Sequence, residues 1–475
     1  MWKLQIIVAA ALALSACGGG AAPTGPSSPG TLSVAALACP NGASQGNSGD
    51  DDWVTFGHDQ LHTGCENGDT GISVSNVSQL HRQWEFSQGN QIFASPIVVG
   101  GSVYVATLDA GTVIALNAAT GAQEWSTTLG ASSGGEIRQT PVYDDGLLFV
   151  GIHGFGAPNS AGEYPPLPSR IYALNASTGQ VVWSALLQGD VRASPAVANG
   201  EVFVPVAGGD PPFCLQGGIS AFNEASGQAL WNFYVDPTPS DGGSVWSPVS
   251  YDGTRLIFGT GNTCVQTPLS ANAIVAINPQ NGQVDWQLNT APQLTDDDVG
   301  AGTMIVNGLV ITIGKDGVIY YLDESTGAVL HEVQTGVANG QGGFSTPSTD
   351  GTTIILGTSA ASSGTSAISR DDSSVRFFGR IRPSATSGGG RLIALDMSGN
   401  VKWTDATQSA VNTSVAITGG VAFADVNDAI EALAVSNGHT LWSYSLPAGV
   451  LASPVVVPSG VYAADLAGNV YKFVL

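Results

Sequence analysis

The hydrophobic pattern of this chain repeats: a short apolar segment, a polar turn around a glycine, and a second segment that ends in tryptophan. ALNAATGAQEW at 115–125 is one copy, and ALNASTGQVVW at 173–183 and AINPQNGQVDW at 276–286 are two others. Apolar runs bounded by such turn residues predict β-strands. A strand-type unit that recurs roughly every 40–50 residues predicts a β-propeller, because one unit cannot bury its faces alone.

A second repeated pattern gives the number of blades. A small or polar residue, Ser or Thr, Pro and then β-branched residues mark an inner strand, in ASPIVV (94–99), QTPVY (139–143), ASPAV (193–197), WSPVS (246–250), STPST (345–349) and ASPVVV (452–457). AGTMIV (301–306) and NTSVAI (412–417) lack the proline, and Thr303 and Ser414 take its place. The terminal tryptophan positions are also eight: Trp84, Trp125, Trp183, Trp231, Trp286, His331, Trp403 and Trp442. We therefore predict an all-β fold, an eight-bladed propeller of four-stranded antiparallel blades.

The order of the two patterns predicts how the ring closes. Trp84 precedes the first inner strand, whereas the last repeat ends at GNVYKFVL (468–475) with no tryptophan strand after it. The N-terminal strand around Trp84 should therefore complete the last blade. This closure removes two free sheet edges.

The charge of the chain excludes some partners. Its formal net charge is −23, and only 11% of its residues are charged. Nucleic acids and anionic lipids bind clustered Lys and Arg, so neither is expected as a partner. The acidic surface indicates solubility, and we expect a monomer.

The N-terminus predicts export and a lipid anchor. Residues 1–17, MWKLQIIVAAALALSAC, have one Lys, an apolar run and small residues before Cys17, as a secretory signal has. Leu14–Cys17 resembles the bacterial lipobox, which implies lipidation of Cys17; an ordinary signal peptide with an incidental Cys is the alternative. We expect 18–50 to be a flexible tether and 51–475 the propeller. The protein would then lie in the cell envelope, facing the periplasm or the exterior, attached only through its lipid.

Four cysteines remain after processing, and an even number in an exported chain indicates disulfides. Cys214 and Cys264 follow the second strands of adjacent blades, so blade adjacency favours their pairing. Four cysteines can pair in three ways, and this one leaves Cys39 to pair with Cys65. No CxxCH motif is present, so no haem is attached to this chain.

Residues at the start of the first strand and at the end of the second open on the same face of a blade. Two residues before the proline position, Trp246 stands where the other repeats have small or modest polar residues. Its ring suits a planar ligand, and a plug in the axial channel is the alternative. Three residues before that position, Arg138 and Arg192 occupy adjacent blades and predict an anion site, or else ion-paired rim arginines.

Oxygen-bearing residues occupy the same face of three consecutive blades. Asp210 and Asn262 follow second strands, and Asp298 precedes the fifth inner strand. Such an oxygen-only set suits Ca²⁺, although Asp and Asn also occupy turns for backbone reasons. Lys315 stands where the first blade has Leu108 and could donate to a ligand oxygen or be a surface charge.

The TGxxxW turns and the segment DDWVTFGHDQLHTG (51–64) resemble pyrroloquinoline quinone (PQQ) repeat propellers, the fold of quinoprotein alcohol dehydrogenases. The resemblance covers about residues 50–475. The segment 242–262 resembles the dehydrogenase segment with the tryptophan floor under PQQ and a Ca²⁺-binding Asn, which implies these roles for Trp246 and Asn262. TDDDVGAG (295–302) resembles the segment with the catalytic Asp, here Asp298.

The resemblance implies further roles and two classes of function. GKDGVIYYLDESTG (314–327) resembles the strand pair whose cation touches the quinone, here Lys315, and Asp210 falls near the family's acidic Ca²⁺ ligand. The enzyme would hold PQQ and Ca²⁺, oxidise an alcohol-type substrate and pass electrons to an unknown acceptor. The family's adjacent Cys-Cys pair and cytochrome domain are missing. The alternative is a non-catalytic scaffold that resembles the lipoprotein subunit of the outer-membrane β-barrel assembly machine and binds outer-membrane assembly proteins.

Overall fold

The strands of this protein were located in a computed structural model. It describes residues 39–40, 52–130, 135–155, 166–208, 214–238, 242–264, 270–290, 297–336, 343–359 and 389–475. The predicted signal peptide with Cys17, most of the predicted tether and Asp210 lie outside these residues. Among the described residues, no helix has the length and apolar character needed to cross a membrane.

Each of the eight blades is a four-stranded antiparallel sheet, and the predicted all-β propeller is confirmed. The bounds of the strands in the first four blades are as follows. Blade 1 has β2 (Ile97–Val99), β3 (Ser102–Ala106), β4 (Thr112–Asn117) and β5 (Gln123–Thr128). Blade 2 has β6 (Val142–Asp144), β7 (Leu147–Phe155), β8 (Pro166–Asn175) and β9 (Val181–Leu186). Blade 3 has β10 (Ala196–Ala198), β11 (Glu201–Val206), β12 (Gly218–Asn223) and β13 (Ala229–Tyr234). Blade 4 has β15 (Ser250–Tyr251), β16 (Leu256–Gly259), β18 (Ala273–Ile277) and β19 (Val284–Asn289).

The last four blades follow the same order. Blade 5 has β20 (Met304–Val306), β21 (Leu309–Ile313), β22 (Val318–Asp323) and β23 (Val329–Gln334). Blade 6 has β24 (Ser348–Thr349), β25 (Thr353–Ser359), β26 (Gly390–Asp396) and β27 (Val401–Thr407). Blade 7 has β28 (Ala416–Thr418), β29 (Val421–Val426), β30 (Ala429–Ala434) and β31 (Thr440–Ser445). Blade 8 has β32 (Val455–Val457), β33 (Gly460–Ala464), β34 (Asn469–Val474) and β1 (His81–Ser87). A two-stranded ladder, β14 (Gly242–Ser244) with β17 (Gly261–Thr263), and 3₁₀ helices at Val77–Gln79 and Asp109–Gly111 complete the described elements.

The N-terminal strand closes the ring as predicted. β1 pairs antiparallel with β34, so that Trp84 lies opposite Lys472 in the outermost position of blade 8. The first and last strands of the propeller therefore share one sheet, and β34 is paired on both sides.

Tryptophans on the outer strands join neighbouring blades. Their indole Nε1 atoms donate to backbone carbonyls of the next blade in the pairs Trp84–Ala118, Trp125–Ala176, Trp183–Glu224, Trp231–Pro279, Trp286–Glu324, Trp403–Val435 and Trp442–Leu80. In six of these pairs, all but Trp442–Leu80, the ring also packs on the turn glycine of that blade. At Gly227, for example, φ is +69° and an added Cβ would lie 2.5 Å from the Trp183 ring. Glycine is therefore required there both by the backbone and by the close approach of the indole.

Hydroxyl groups join the inner strands around the axis. The backbone N–H of Ser95 donates to Thr140 of the next blade, and that of Ser453 donates to Ser95. In blade 7 the N–H of Ser414 makes this contact with Ser453, which places Val415 and not Ser414 at the proline position. The predicted register of that repeat was therefore wrong by one residue. Because NTSVAI has no proline, the register of this repeat can be assigned only from contacts in the folded structure.

The segment 53–66 passes along the inner strands of the propeller. Its backbone carbonyls accept N–H groups from inner-strand residues of blades 2, 4, 5, 6 and 7, namely Tyr143, Tyr251, Ile305, Thr349 and Ile417. Trp53 exchanges two backbone hydrogen bonds with Val98 of blade 1. These contacts lie two or three residues beyond the proline position, whereas Trp246, Asp298 and the two arginines precede it. We call 53–66 the axial segment.

Both predicted disulfides are confirmed. Cys39 pairs with Cys65 at a Cα–Cα distance of 5.6 Å, and Cys214 pairs with Cys264 at 6.2 Å. The second disulfide joins the loops that follow β11 and β17, so blades 3 and 4 are linked covalently beside Asn262.

Candidate functional site

A backbone contact repeated in five blades defines two positions at the site. A residue within two positions of the end of the second strand donates its N–H to the carbonyl of the residue five before the proline position, in the pairs Leu108–Gln91, His153–Glu136, Ala207–Asp190, Lys315–Asp298 and Leu466–Gly449. We call the acceptor the acid position and the donor the exit position. Among these five blades, the acid position holds a carboxylate in blades 2, 3 and 5 alone.

Asp298, at the acid position of blade 5, is the centre of the predicted site. Its Oδ2 atom accepts a hydrogen bond from Trp246 Nε1 at 3.0 Å and lies 3.4 Å from Lys315 Nζ. Its Oδ1 atom accepts the backbone N–H of Asn262 at 3.2 Å. Three donors therefore surround this one buried carboxylate side chain. Four residues that the sequence predicted to share a site are thus brought together.

The Trp246 ring lies between a cation, a second ring and the main chain. Lys315 Nζ is 5.0 Å from the ring centroid, and the Phe344 ring is 5.7 Å away at 46°. A Cβ at Gly300 would overlap the far edge of the indole, and one at Gly261 would lie 2.8 Å from its Nε1. Glycine at both positions is therefore needed to seat this ring.

Short strands hold these side chains in place. β14 pairs with β17, with Ser244 opposite Gly261, so the residues before Trp246 and around Asn262 belong to one ladder. The N–H of Val245 donates to Val206 of blade 3, and the N–H of Val299 donates to Thr260 of blade 4. The site therefore lies where backbone hydrogen bonds join three consecutive blades, 3, 4 and 5.

The two arginines lie on blades 2 and 3, each in an ion pair. Arg138 donates to Glu136 Oε2 from Nε and Nη2, at 3.1 and 2.8 Å, and Arg192 Nε donates to Asp190 Oδ2 at 2.5 Å. The Nδ1 atom of His153 pairs with the other oxygen of Asp190. Burial would raise the pKa of Asp190, but the charges and hydrogen bonds of His153 and Arg192 hold it well below its usual range.

Sequence reasoning missed Glu136, Asp190 and His153. The signal was present, since Glu136 and Asp190 stand five residues before a proline, as Asp298 stands five before Thr303. His153 occupies the exit position that Lys315 occupies in blade 5. The positions two and three residues before the proline identify Trp246, Arg138 and Arg192, whereas the three missed residues lie at the acid and exit positions.

Two of the three predicted Ca²⁺ ligands lie in the described residues. Asn262 and Asp298 are in contact, whereas Asp210 lies outside the described residues. Within the described ranges, no three His, Cys, Asp or Glu side chains are grouped as a metal site of those residues would need. Asn262 and Asp298 supply two oxygen-bearing side chains of the kind that Ca²⁺ binds.

The described residues fit PQQ at the floor and at one edge. Gly261 and Gly300 leave room for a flat indole, a suitable surface for a planar ring. Lys315 and Asp298 supply a cation and a carboxylate beside that surface. Arg138 and Arg192 carry the charge that a tricarboxylate requires, each beside a carboxylate of its own blade.

Comparison with known families agrees with the repeats. The family described as outer membrane protein assembly factor BamB matches residues 110–377 and 377–474, most of the chain. The family described as the β-propeller domain of glucose, ethanol and alcohol dehydrogenases matches residues 53–145.

Curated relatives are similar over part of their length. The chain is 25% identical to the quinohemoprotein alcohol dehydrogenase ADH-IIG of Pseudomonas putida over 320 residues, which are 54% of this chain and 42% of that protein. It is 24% identical to a polyvinylalcohol dehydrogenase of Sphingopyxis sp. over 344 residues, 59% of this chain and 50% of that protein. The chain thus spans about half or less of these relatives' lengths.

Solved structures share the fold. The quinohemoprotein alcohol dehydrogenase of Comamonas testosteroni superposes with a TM-score of 0.70 at 19% identity, covering 90% of this chain and 81% of that one. BamB from Moraxella catarrhalis superposes with a TM-score of 0.59 at 14% identity, covering 83% of this chain and all of that one. The repeats and the two family matches show that the chain belongs to the PQQ-repeat, quinoprotein alcohol dehydrogenase-like propeller family.

Proposed function

We propose that this protein is a PQQ- and Ca²⁺-dependent dehydrogenase that oxidises an alcohol-type substrate and passes the electrons to an external acceptor. One observation carries the proposal: the carboxylate of Asp298 contacts both the Trp246 indole and the Lys315 ammonium. Relatives named as quinone-dependent alcohol dehydrogenases support the reaction class.

Each residue has a role that its chemistry allows. Trp246 would form the floor under the cofactor, and Asn262, Asp298 and Asp210 would hold the metal. When bound, PQQ and Ca²⁺ supply the two-electron acceptor and the Lewis acid that alcohol oxidation needs. Asp298 would take the hydroxyl proton of the substrate, and Lys315 would stabilise negative charge on the reacting oxygens. Arg138 and Arg192 would neutralise carboxylates of the cofactor.

The proposal is tested by titrating the apoprotein with PQQ and Ca²⁺ and then measuring dye-linked oxidation of a panel of alcohols. Asp298→Asn should lower turnover at least about 100-fold, because an amide cannot accept the proton. The neighbouring Asp297→Asn is the matched control and should keep turnover. Unchanged turnover in Asp298→Asn would show that Asp298 does not accept the substrate proton.

A scaffold is the second candidate function. The BamB family matches most of the chain, and the Trp246 ring already contacts Lys315 and Phe344. A channel plugged by this ring would need no cofactor. If the wild-type protein neither binds PQQ nor oxidises alcohols with Ca²⁺ present, the scaffold replaces the enzyme. Depletion of the protein should then lower the amount of folded outer-membrane β-barrels.

We also propose that the protein is a lipoprotein of the cell envelope, anchored through Cys17 and facing the periplasm or the exterior. The support is the sequence before Cys17, LSA, which resembles a lipobox. Labelling with a radioactive fatty acid should mark the wild-type protein and leave Cys17→Ala unlabelled. Equal labelling of both would refute the anchor.

A further inference from the structure

Blades 2 and 3 carry a cluster of charged and titratable side chains that the dehydrogenase reaction does not use as a whole. We call Glu136, Arg138, His153, Asp190 and Arg192 the second ionic cluster. Glu136 and Asp190 occupy the acid position of their blades, and His153 occupies the exit position of blade 2. The Asp298–Lys315 pair occupies the same two positions in blade 5. The repeat therefore places an acidic and a basic residue at these two positions in both blades, but in blade 2 the His153 side chain pairs with Asp190 of blade 3 and the Glu136 side chain with Arg138.

His153 joins the two arginine-bearing segments. Its backbone N–H and carbonyl pair with those of Glu136, at 3.0 and 2.8 Å, in the segment that carries Arg138. Its side chain, only 2% exposed, pairs through Nδ1 with Asp190 Oδ1. Asp190 Oδ2 in turn accepts Arg192 Nε. An imidazole of blade 2 thus fixes the carboxylate that orients a guanidinium of blade 3.

The cluster has its acids and His153 inside and its guanidinium groups more exposed. The side chains of Glu136 and Asp190 are 8% and 5% exposed, whereas Arg138 is 15% and Arg192 38% exposed. A buried carboxylate is stable only with such partners, so the ion pairs hold the arginines in fixed directions. The accessible part of the cluster is therefore its guanidinium groups.

A backbone ladder connects this cluster to the candidate site. Asp190 pairs with Ala207, and Ala207 pairs with Ser244, two residues before Trp246. Side-chain contacts thus link Trp246 to Asp298 and Lys315 of blade 5, and this backbone ladder links the segment before Trp246 to the blade 3 end of the second ionic cluster. A planar ligand on the indole that extends toward blade 3 would approach the guanidinium of Arg192.

We propose that His153 is a positioning residue: through Asp190 it fixes the Arg192 guanidinium, so that the second ionic cluster binds the carboxylates of an aromatic polycarboxylate that rests on Trp246. Planar, fixed guanidinium groups match carboxylate geometry better than mobile ones, and preorganisation lowers the entropy cost of binding. The identification of this ligand with PQQ rests on the proposed function. The binding of aromatic carboxylates does not.

The test is calorimetric titration of the full chain with PQQ and, separately, with benzene-1,3,5-tricarboxylate. His153→Phe should lower the affinity for each ligand by about tenfold, because it removes the charge-assisted contact between His153 and Asp190 that helps to hold Arg192. His153→Asn should restore wild-type affinity, because its amide nitrogen can stand in for Nδ1–H. His331→Phe, the same change on an outer strand, is the matched control and should leave affinity unchanged.

A double-mutant cycle shows whether His153 acts through Arg192. Arg192→Gln should weaken tricarboxylate binding, and adding His153→Phe to it should cost no more affinity. If His153→Phe fails to fold, as judged by its circular dichroism and melting curve, His153→Gln takes its place, since it cannot put a donor at Nδ1.

The outcomes separate this inference from the proposed function. Unchanged affinity in His153→Phe, additive losses in the double variant, or no binding of either ligand to the wild type would overturn the role of His153. If the tricarboxylate binds in a way that depends on His153 but PQQ does not bind, PQQ is not the cofactor. The positioning role of His153 then still holds.

Discussion

The tryptophans at the blade interfaces and Trp246 share one fold but have different partners. Seven interface indoles donate to neutral backbone carbonyls of the next blade, whereas Trp246 donates to the carboxylate of Asp298. The interface contact recurs around the ring. None of the seven interface indoles donates to a carboxylate as Trp246 does. In a repeat protein the other copies show what the fold requires, so a residue that departs from them is a candidate for function.

The largest effect is expected at an interface tryptophan. Trp183 is 9% exposed, donates to Glu224 and packs on Gly227. Trp183→Ala should lower the free energy of unfolding by about 3–5 kcal/mol, because it leaves a cavity between two blades. Urea unfolding followed by circular dichroism measures this loss. Trp246→Ala is the control and should cost less; equal losses would erase the proposed difference between the two kinds of tryptophan.

Removing the disulfide beside the site should have the next largest effect. Replacing Cys214 and Cys264 together with Ser should lower the free energy of unfolding by about 2–4 kcal/mol, since the unfolded chain gains freedom. It should also weaken PQQ binding, because Cys264 lies two residues from Asn262. The Cys39–Cys65 pair is the control, and its loss should leave ligand binding unchanged. Binding losses of equal size in both variants would show that the effect is not local.

The axial segment should make stability depend on pH. Burial lowers the pKa of His58, but hydrogen bonds and charges of Asp59 and Glu66 outweigh it and raise the pKa to about 9. Protonated His58 therefore favours the folded state. Its contribution is complete below the unfolded pKa of 6.5 and is lost as the pH rises through about 9.

The measurement is the free energy of unfolding at about pH 6 and about pH 9.5. The wild type should be less stable at the higher pH by more than His58→Gln, which lacks this titration. His62 is the internal comparison, because burial lowers its pKa to about 4 and its neutral form favours folding. Its contribution should instead be lost as the pH falls from 6.5 toward 4. The same pH slope in the wild type and His58→Gln would count against the assignment.

The smallest effect is expected where a repeat lacks its tryptophan. His331 occupies the tryptophan position of blade 5 and packs on Gly399 of blade 6. His331→Trp should raise the free energy of unfolding by about 1 kcal/mol, because a larger ring fills the interface and can donate to a carbonyl. Thermal melting measures the gain. A lower melting temperature would mean that blade 6 has adapted to the imidazole.

Most of the fold was predictable because the repeats carry it. Equal numbers of inner strands and tryptophan positions gave eight blades, and the position of Trp84 gave the closing strand. Blade adjacency gave the Cys214–Cys264 disulfide. The predicted register of blade 7 was wrong because NTSVAI has no proline, and the hydrogen bond from the Ser414 N–H to the Ser453 hydroxyl places Val415 at that position.

The site was predictable in part. Trp246, Asn262, Asp298 and Lys315 come together as expected from their places in the repeats. That Asp190 holds both His153 and Arg192 depends on side-chain directions between blades, which sequence spacing does not give. The contacts of the axial segment with the inner strands were likewise missed, because 53–66 carries no repeat of its own.

The central claim, that the Trp246–Asp298 site holds the cofactor, is tested most directly by quenching of tryptophan fluorescence during titration with PQQ and Ca²⁺. The account predicts saturable binding of one PQQ per chain, lost in Trp246→Ala and retained in Trp231→Phe, a change at a blade interface. Binding that persists unchanged in Trp246→Ala, or no binding to the wild type, would contradict it.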